Sequence, residues 1–147
     1  MGEWTSGKIL QMKFGEFKVL RIENQEYEGM VIEIEKKGMK IRSRLAKQTP
    51  KKDGYFVAFW EKSNSHENQA FSYEEEIMLA IVVRDGEREG IFIFPKTVLM
   101  DKGIARSKEQ KGKMAMRVYP EWCQNLNKTA QKTQKWQKNY FYRVARE

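Results

Sequence analysis

Three segments of this chain are apolar over their whole length and short. Tyr55–Trp60, Ile77–Val83 and Ile91–Phe94 have the length of strands rather than helices, and an apolar run of that length reads as a strand covered on both faces. Tyr27–Glu35 instead alternates, with Met30, Ile32 and Ile34 on one side and Val31, Glu33 and Glu35 on the other. Lys36-Lys37-Gly38 reads as a turn, and Met39–Leu45 returns with Ile41 inward. Gln48–Gly54 reads as a loop around Pro50, and Met114–Tyr119 as a last short strand stopped by Pro120. Five or more strands joined by tight turns give a mixed, largely antiparallel sheet.

Helical periodicity flanks these strands. Ser6–Glu16 reads as a short helix with Ser6 as its N-cap and Ile9, Leu10 and Phe14 on its apolar side. From Asn125 to Val144 a second helix is expected. Leu126, Ala130, Thr133, Gln137, Tyr140, Phe141 and Val144 share one stripe, and Lys128, Gln131, Lys132, Lys135 and Lys138 centre on the other side. The expected class is therefore α/β (α+β), a central sheet flanked by helices, as one domain over residues 1–147.

Charge is distributed unevenly over that domain. Met1–Gly103 balances 17 Lys and Arg against 17 Asp and Glu, whereas Ile104–Glu147 holds 11 against 3 and so carries the whole net charge of +8. A balanced domain ending in a basic segment points to a polyanionic partner. No apolar run has membrane-spanning length, and the opening residues lack the apolar stretch of a signal peptide. Cys123 is the single cysteine, which fits a reducing cytoplasm. His66 is the single histidine and lies in a polar stretch, so Cys/His zinc sites and Ser-His-Asp catalysis have little to build on.

Four basic groupings stand out as candidate binding residues. Arg44, Lys47 and Lys52 surround the Pro50 turn, where a guanidinium fork and two ammonium groups suit a phosphate backbone. Lys96 follows the Ile91–Phe94 strand. Arg117 shares a face with Tyr119, close to Trp122. Lys128, Lys132 and Lys135 lie on the ridge of the last helix, with Gln134 beside them.

These groupings resemble the signatures of a known family. Arg44-Leu45-Ala46-Lys47-Gln48-Thr49-Pro50-Lys51-Lys52, followed by Gly54-Tyr55-Phe56-Val57 and Trp60, resembles the first signature of the MepB family of bacterial proteins. Gly90-Ile91-Phe92-Ile93-Phe94-Pro95-Lys96 is similar to its second. Arg117-Val118-Tyr119-Pro120 with Trp122, and then Ala130–Gln137 with Phe141, are similar to its third and fourth. The resemblance runs in order from about Tyr27 to Phe141. It implies a restriction-endonuclease-like fold, an origin at loci linked to multidrug efflux, and nucleic-acid binding through Arg44, Lys47, Lys52, Lys96, Arg117 and Gln134. DNA is expected over RNA, because the implied fold is that of DNA enzymes.

Catalysis is a separate question. Nucleases of that fold hold magnesium with an Asp and a Glu/Asp-x-Lys triplet. Here no Asp lies in Met1–Lys52, and Glu35-Lys36-Lys37 falls in a turn. Glu28, Glu33 and Glu35 with Lys47 are the set a magnesium nuclease would use, which is the alternative reading, and Glu74, Glu75 and Glu76 read as a charged strand entry. A pocket for a nucleotide or phosphorylated small molecule is the third. The expectation is a cytoplasmic, monomeric nucleic-acid-binding protein with no catalytic residue, no metal ligand and no cofactor.

Overall fold

The computed structural model describes residues 4–144, so the first three residues, part of the segment read for a leader, lie outside it. In chain order the elements are α1 (Thr5–Phe14), β1 (Lys18–Ile22), β2 (Met30–Ile34), β3 (Met39–Leu45), β4 (Lys47–Thr49) and β5 (Lys52–Ala58). Then follow β6 (Glu61–Lys62), β7 (Asn68–Gln69), β8 (Met78–Asp85), β9 (Arg88–Phe94), α2 (Lys96–Asp101), β10 (Ala115–Val118), α3 (Lys128–Gln137) and β11 (Phe141–Arg143).

Six strands form the main sheet in the order β1-β2-β3-β8-β9-β11. β3 and β8 run parallel and every other neighbouring pair is antiparallel. Two of the three apolar runs of the sequence are β8 and β9 near its middle, which is why neither alternates, and the third falls mostly in β5 of the smaller sheet. One face packs Ile32, Ile41, Ala80, Val82 and Ile91 under Ile9 and Leu10 of α1. The other packs Leu79, Ile81, Val83, Phe92 and Phe94 against the small sheet β10-β5-β4, α2 and α3. The mixed, largely antiparallel sheet with flanking helices is the expected architecture.

Several boundaries differ from the sequence reading, each for a physical reason. Ser6 is not the N-cap of α1, which is Trp4 without a side-chain bond. Instead the Glu28 carboxylate accepts from Ser6 N at 2.8 Å and from Ser6 Oγ at 2.6 Å, placing negative charge at the helix start. The expected Gln48–Gly54 loop is the β4–β5 hairpin, folded tightly at Pro50. The last helix does not reach Val144. It ends at Gln137, tightens through Lys138–Tyr140 and gives way to β11, whose Phe141 lies opposite Phe92. The helical stripe predicts that Phe141 turns inward, and it packs half-buried against the core, but pairing with the edge of β9 satisfies the backbone there better than another turn.

Gly90 permits that docking, since a Cβ there would run into the Phe141 ring. Gly90→Ala is expected to destabilise the fold by about 1–3 kcal/mol by pushing β11 off the edge, read from the denaturation midpoint.

Candidate nucleic-acid interface

The basic ridge is built on α3. Asn127 opens the helix, its Oδ1 accepting from Ala130 N at 2.8 Å. Leu126, Ala130 and Gln137 are buried on the inner side. The Gln137 amide bonds both ways to β10 and its continuation, donating to Arg117 O at 3.0 Å and accepting from Tyr119 N at 2.9 Å. Trp136 packs on Phe94 with ring centres 5.5 Å apart. With the inner side fixed, Lys128, Lys132, Lys135 and Lys138 are all exposed. Among the described residues none of these four has an acidic partner within ion-pair distance.

Gln134, proposed from the sequence as a binding residue, is engaged inward. Its amide donates to Pro120 O at 3.0 Å and to Cys123 O at 3.1 Å. Arg117 is also a strut. Its Nη2 donates to Thr49 Oγ1 and Asp53 O, each at 2.9 Å, and to Gly54 O at 3.2 Å. One guanidinium therefore ties β10 to the β4–β5 turn, while Gln134 and Gln137 tie the following segment to α3. Gly54 has a φ of +80°, and a Cβ there would strike the Tyr119 ring, so glycine is required at the hairpin both for conformation and for close approach.

That linkage fixes the hairpin's own cations. Lys52 is exposed with no ion pair among the described residues, and Lys47 is exposed with its ammonium 4.7 Å from the centre of the Tyr27 ring and 3.9 Å from Glu26. Lys96 is held elsewhere: its Nζ lies 2.5 Å from Glu76 Oε1 and 4.6 Å from the centre of the Tyr73 ring.

Arg44 is the one candidate that the structure removes from any surface. It is fully buried, with 0% of its side chain exposed. It donates to Glu23 Oε1 at 3.0 Å, to Ser43 O at 2.9 Å and to Trp60 O at 3.3 Å. Alternation correctly places Arg42 and Arg44 on the same face of β3, but that face is covered by the 59–76 segment. Arg42 is equally enclosed. It meets Glu23 and Glu61 at 3.1 Å and Glu75 at 3.4 Å, and its guanidinium lies 4.1 Å from the centre of the Phe71 ring. Burial pushes the Glu23 carboxyl up, yet the charges and hydrogen bonds of Arg42 and Arg44 together hold its pKa below the ordinary value. For Glu61 the balance reverses: burial raises its pKa and outweighs the attraction of Arg42.

The acidic residues considered for a magnesium site are not assembled into one. Glu28 is occupied at the start of α1, and Glu35 lies beyond the far end of β2, on the order of 20 Å along the chain. Among the described residues no group of three His, Cys, Asp or Glu side chains is arranged to hold a metal ion. His66 is exposed in the β6–β7 turn.

One further polar tie has no local signature in the sequence. Asp85 Oδ2 accepts from Tyr55 Oη at 2.6 Å and from Gln48 Nε2 at 2.9 Å, and Trp122 Nε1 donates to Tyr55 Oη at 2.8 Å. It joins the two sheets and the segment before α3 at the floor of an open cleft of about 580 Å³, which Lys52, Arg88 and Gln124 also line.

With this arrangement in hand, comparison with known proteins gives two findings. A family model described as MepB-like matches residues 21–143. The solved structure described as "Crystal Structure of MepB" is similar with a TM-score of 0.81 and 41% identity, over 98% of this chain and 99% of that one. No curated protein matches. The architecture shared with that structure is restriction-endonuclease-like.

Proposed function

This chain belongs to the MepB-like family, and on that basis we propose that it is a nucleic-acid-binding protein, acting on DNA, that holds its target without cutting it. The observation that carries this reading is the row of exposed lysines on α3. Lys128, Lys132 and Lys135 span about 10 Å of helix at 1.5 Å per residue, with no carboxylate within ion-pair distance among the described residues. An unneutralised row of this kind gains affinity from a phosphate backbone through counterion release.

Lys47 and Lys52 extend the proposed footprint from the β4–β5 hairpin. Arg117 and Gln134 serve it as positioning residues, holding hairpin and helix to the segment between them. Lys96, already engaged by Glu76, contributes at the edge when that exposed carboxylate yields to a phosphate. Arg44 contributes only by holding β3 in place. Non-cleavage is supported by the placement of Glu28, Glu33 and Glu35, which leaves the magnesium-nuclease alternative without a convergent acidic set. No helix among the described residues is long and apolar enough to cross a membrane. A monomer in a cytoplasmic setting is the proposed working form.

Labelled 20-mers, single- and double-stranded, incubated with the protein and Mg²⁺ or Mn²⁺ and run on a denaturing gel, test the second half of the proposal. Retarded but intact DNA is expected, and accumulation of defined fragments that scales with protein concentration contradicts it.

A further inference from the structure

The cleft beside the β4–β5 turn contains what amounts to a stand-in for a ligand. Its floor is the Asp85 carboxylate at the end of β8. Both donors that reach it, Gln48 Nε2 and Tyr55 Oη, use Oδ2, and no hydrogen bond reaches Oδ1 among the described residues. Burial and the bond to Asp85 push the Tyr55 phenol up to about 12, so it remains a donor at every physiological pH.

Arg88 lies against this floor. Its guanidinium carbon is 5.4 Å from the centre of the Trp122 ring, and its Nη2 is 3.9 Å from Asp85 Oδ2. That distance exceeds a hydrogen bond, and the side chain is half exposed. The Arg88 guanidinium, with Nη2 near the carboxylate and its carbon beside the indole, is thus loosely held and displaceable.

The base guanine carries a pair of N–H donors suited to a carboxylate. Its N1–H and its exocyclic amino group project side by side from a flat ring, whereas uracil and thymine offer a single N–H between two carbonyls. Adenine and cytosine place a ring acceptor next to their amino group, which a carboxylate repels. We propose that this cleft receives the guanine base of an unpaired or terminal nucleotide, and that Arg88 occupies the base's position in the free protein. Asp85 then accepts from the base edge, Trp122 supplies the stacking surface, and Lys52 together with the displaced Arg88 meets the phosphate. A cleft of about 580 Å³ is in the range of small-ligand sites.

The inference rests on the nucleic-acid reading for what delivers the base, but mononucleotides test it independently. The full chain is titrated with guanosine, GMP, AMP and UMP while the indole N–H resonance of Trp122, identified by its loss in Trp122→Phe, is followed by NMR. GMP and guanosine should move that resonance, with GMP binding roughly tenfold or more tighter than AMP or UMP. Arg88→Ala should tighten guanosine binding several-fold by vacating the site, the opposite of what a simple phosphate-binding arginine gives. Asp85→Asn should abolish the preference among bases. A silent Trp122 resonance at several millimolar GMP, an equal response to all the bases, or weaker guanosine binding by Arg88→Ala would each overturn the proposal. Salt-dependent oligonucleotide binding with a silent resonance sinks the cleft alone; GMP binding without oligonucleotide binding sinks the α3 interface alone.

Discussion

Glu23→Ala should destabilise the protein by about 3–5 kcal/mol, the usual effect of removing one partner from a buried ion pair. The loss is large because, among the described residues, Arg44 has no other carboxylate within 4.0 Å: its remaining bonds are to the carbonyls of Ser43 and Trp60. Arg42 retains Glu61 and Glu75, so the damage centres on Arg44. Against a typical total of 5–15 kcal/mol, the variant should melt roughly 10 °C lower. Replacing the pair together, as Glu23→Leu with Arg44→Met, should recover most of the loss, because no charge is then stranded. A double variant as unstable as the single one would show that packing rather than charge is responsible.

The neighbouring carboxylate behaves oppositely, and pH separates the two. Glu23 has a folded pKa below its unfolded value. Its contribution is fully present above the unfolded carboxyl range of about 4.3 and is lost as pH falls from there through the folded pKa. Glu61 has a folded pKa above its unfolded value, so its ionised form is penalised in the fold, and the penalty appears as pH rises through that folded pKa. Glu61→Gln should therefore gain stability relative to the parent as pH rises above about 4, as measured by urea unfolding at several pH values. A variant that loses ground over that range would contradict the assignment.

The second large effect concerns binding. Lys128→Ala, Lys132→Ala and Lys135→Ala combined should weaken DNA binding by one to two orders of magnitude at low salt while leaving the melting temperature within a few degrees of the parent. The three side chains are exposed and carry no ion pair among the described residues, so the fold does not depend on them. The same triple change should lower the salt slope by almost three, at roughly 0.9 per phosphate contact. The corresponding change at Arg117 should behave differently. Arg117→Ala frees the Thr49–Gly54 turn, so it should weaken binding and stability together.

What was legible in the sequence follows from what periodicity can carry. Runs such as Ile77–Val83 announce burial on both faces, and the Leu126, Ala130 and Gln137 stripe fixes which side of α3 turns inward and hence that its lysines turn out. Periodicity says which residues share a face, not whether another segment covers that face. This is why Arg44 read as a phosphate ligand. Its partner Glu23 is 21 residues away and Arg42 bonds Glu75 across 33, separations that leave no local pattern. The Asp85–Tyr55–Trp122 tie spans 30 and 67 residues and was equally hidden. Phe141 does turn toward the core, half-buried, but a helical stripe and a strand edge both allow that, and the close approach that Gly90 permits is what lets it dock as a strand.

The claim that the exposed lysines of α3 and the β4–β5 hairpin form a polyanion-binding surface is tested most directly by fluorescence anisotropy with a labelled 20-mer duplex at three salt concentrations between 50 and 200 mM. Five lysine contacts, from Lys47, Lys52, Lys128, Lys132 and Lys135, predict a slope of log K against log salt of about −4 to −5, a loss of a few hundredfold over that range. Binding that ignores salt, or no binding at the lowest salt, contradicts the account.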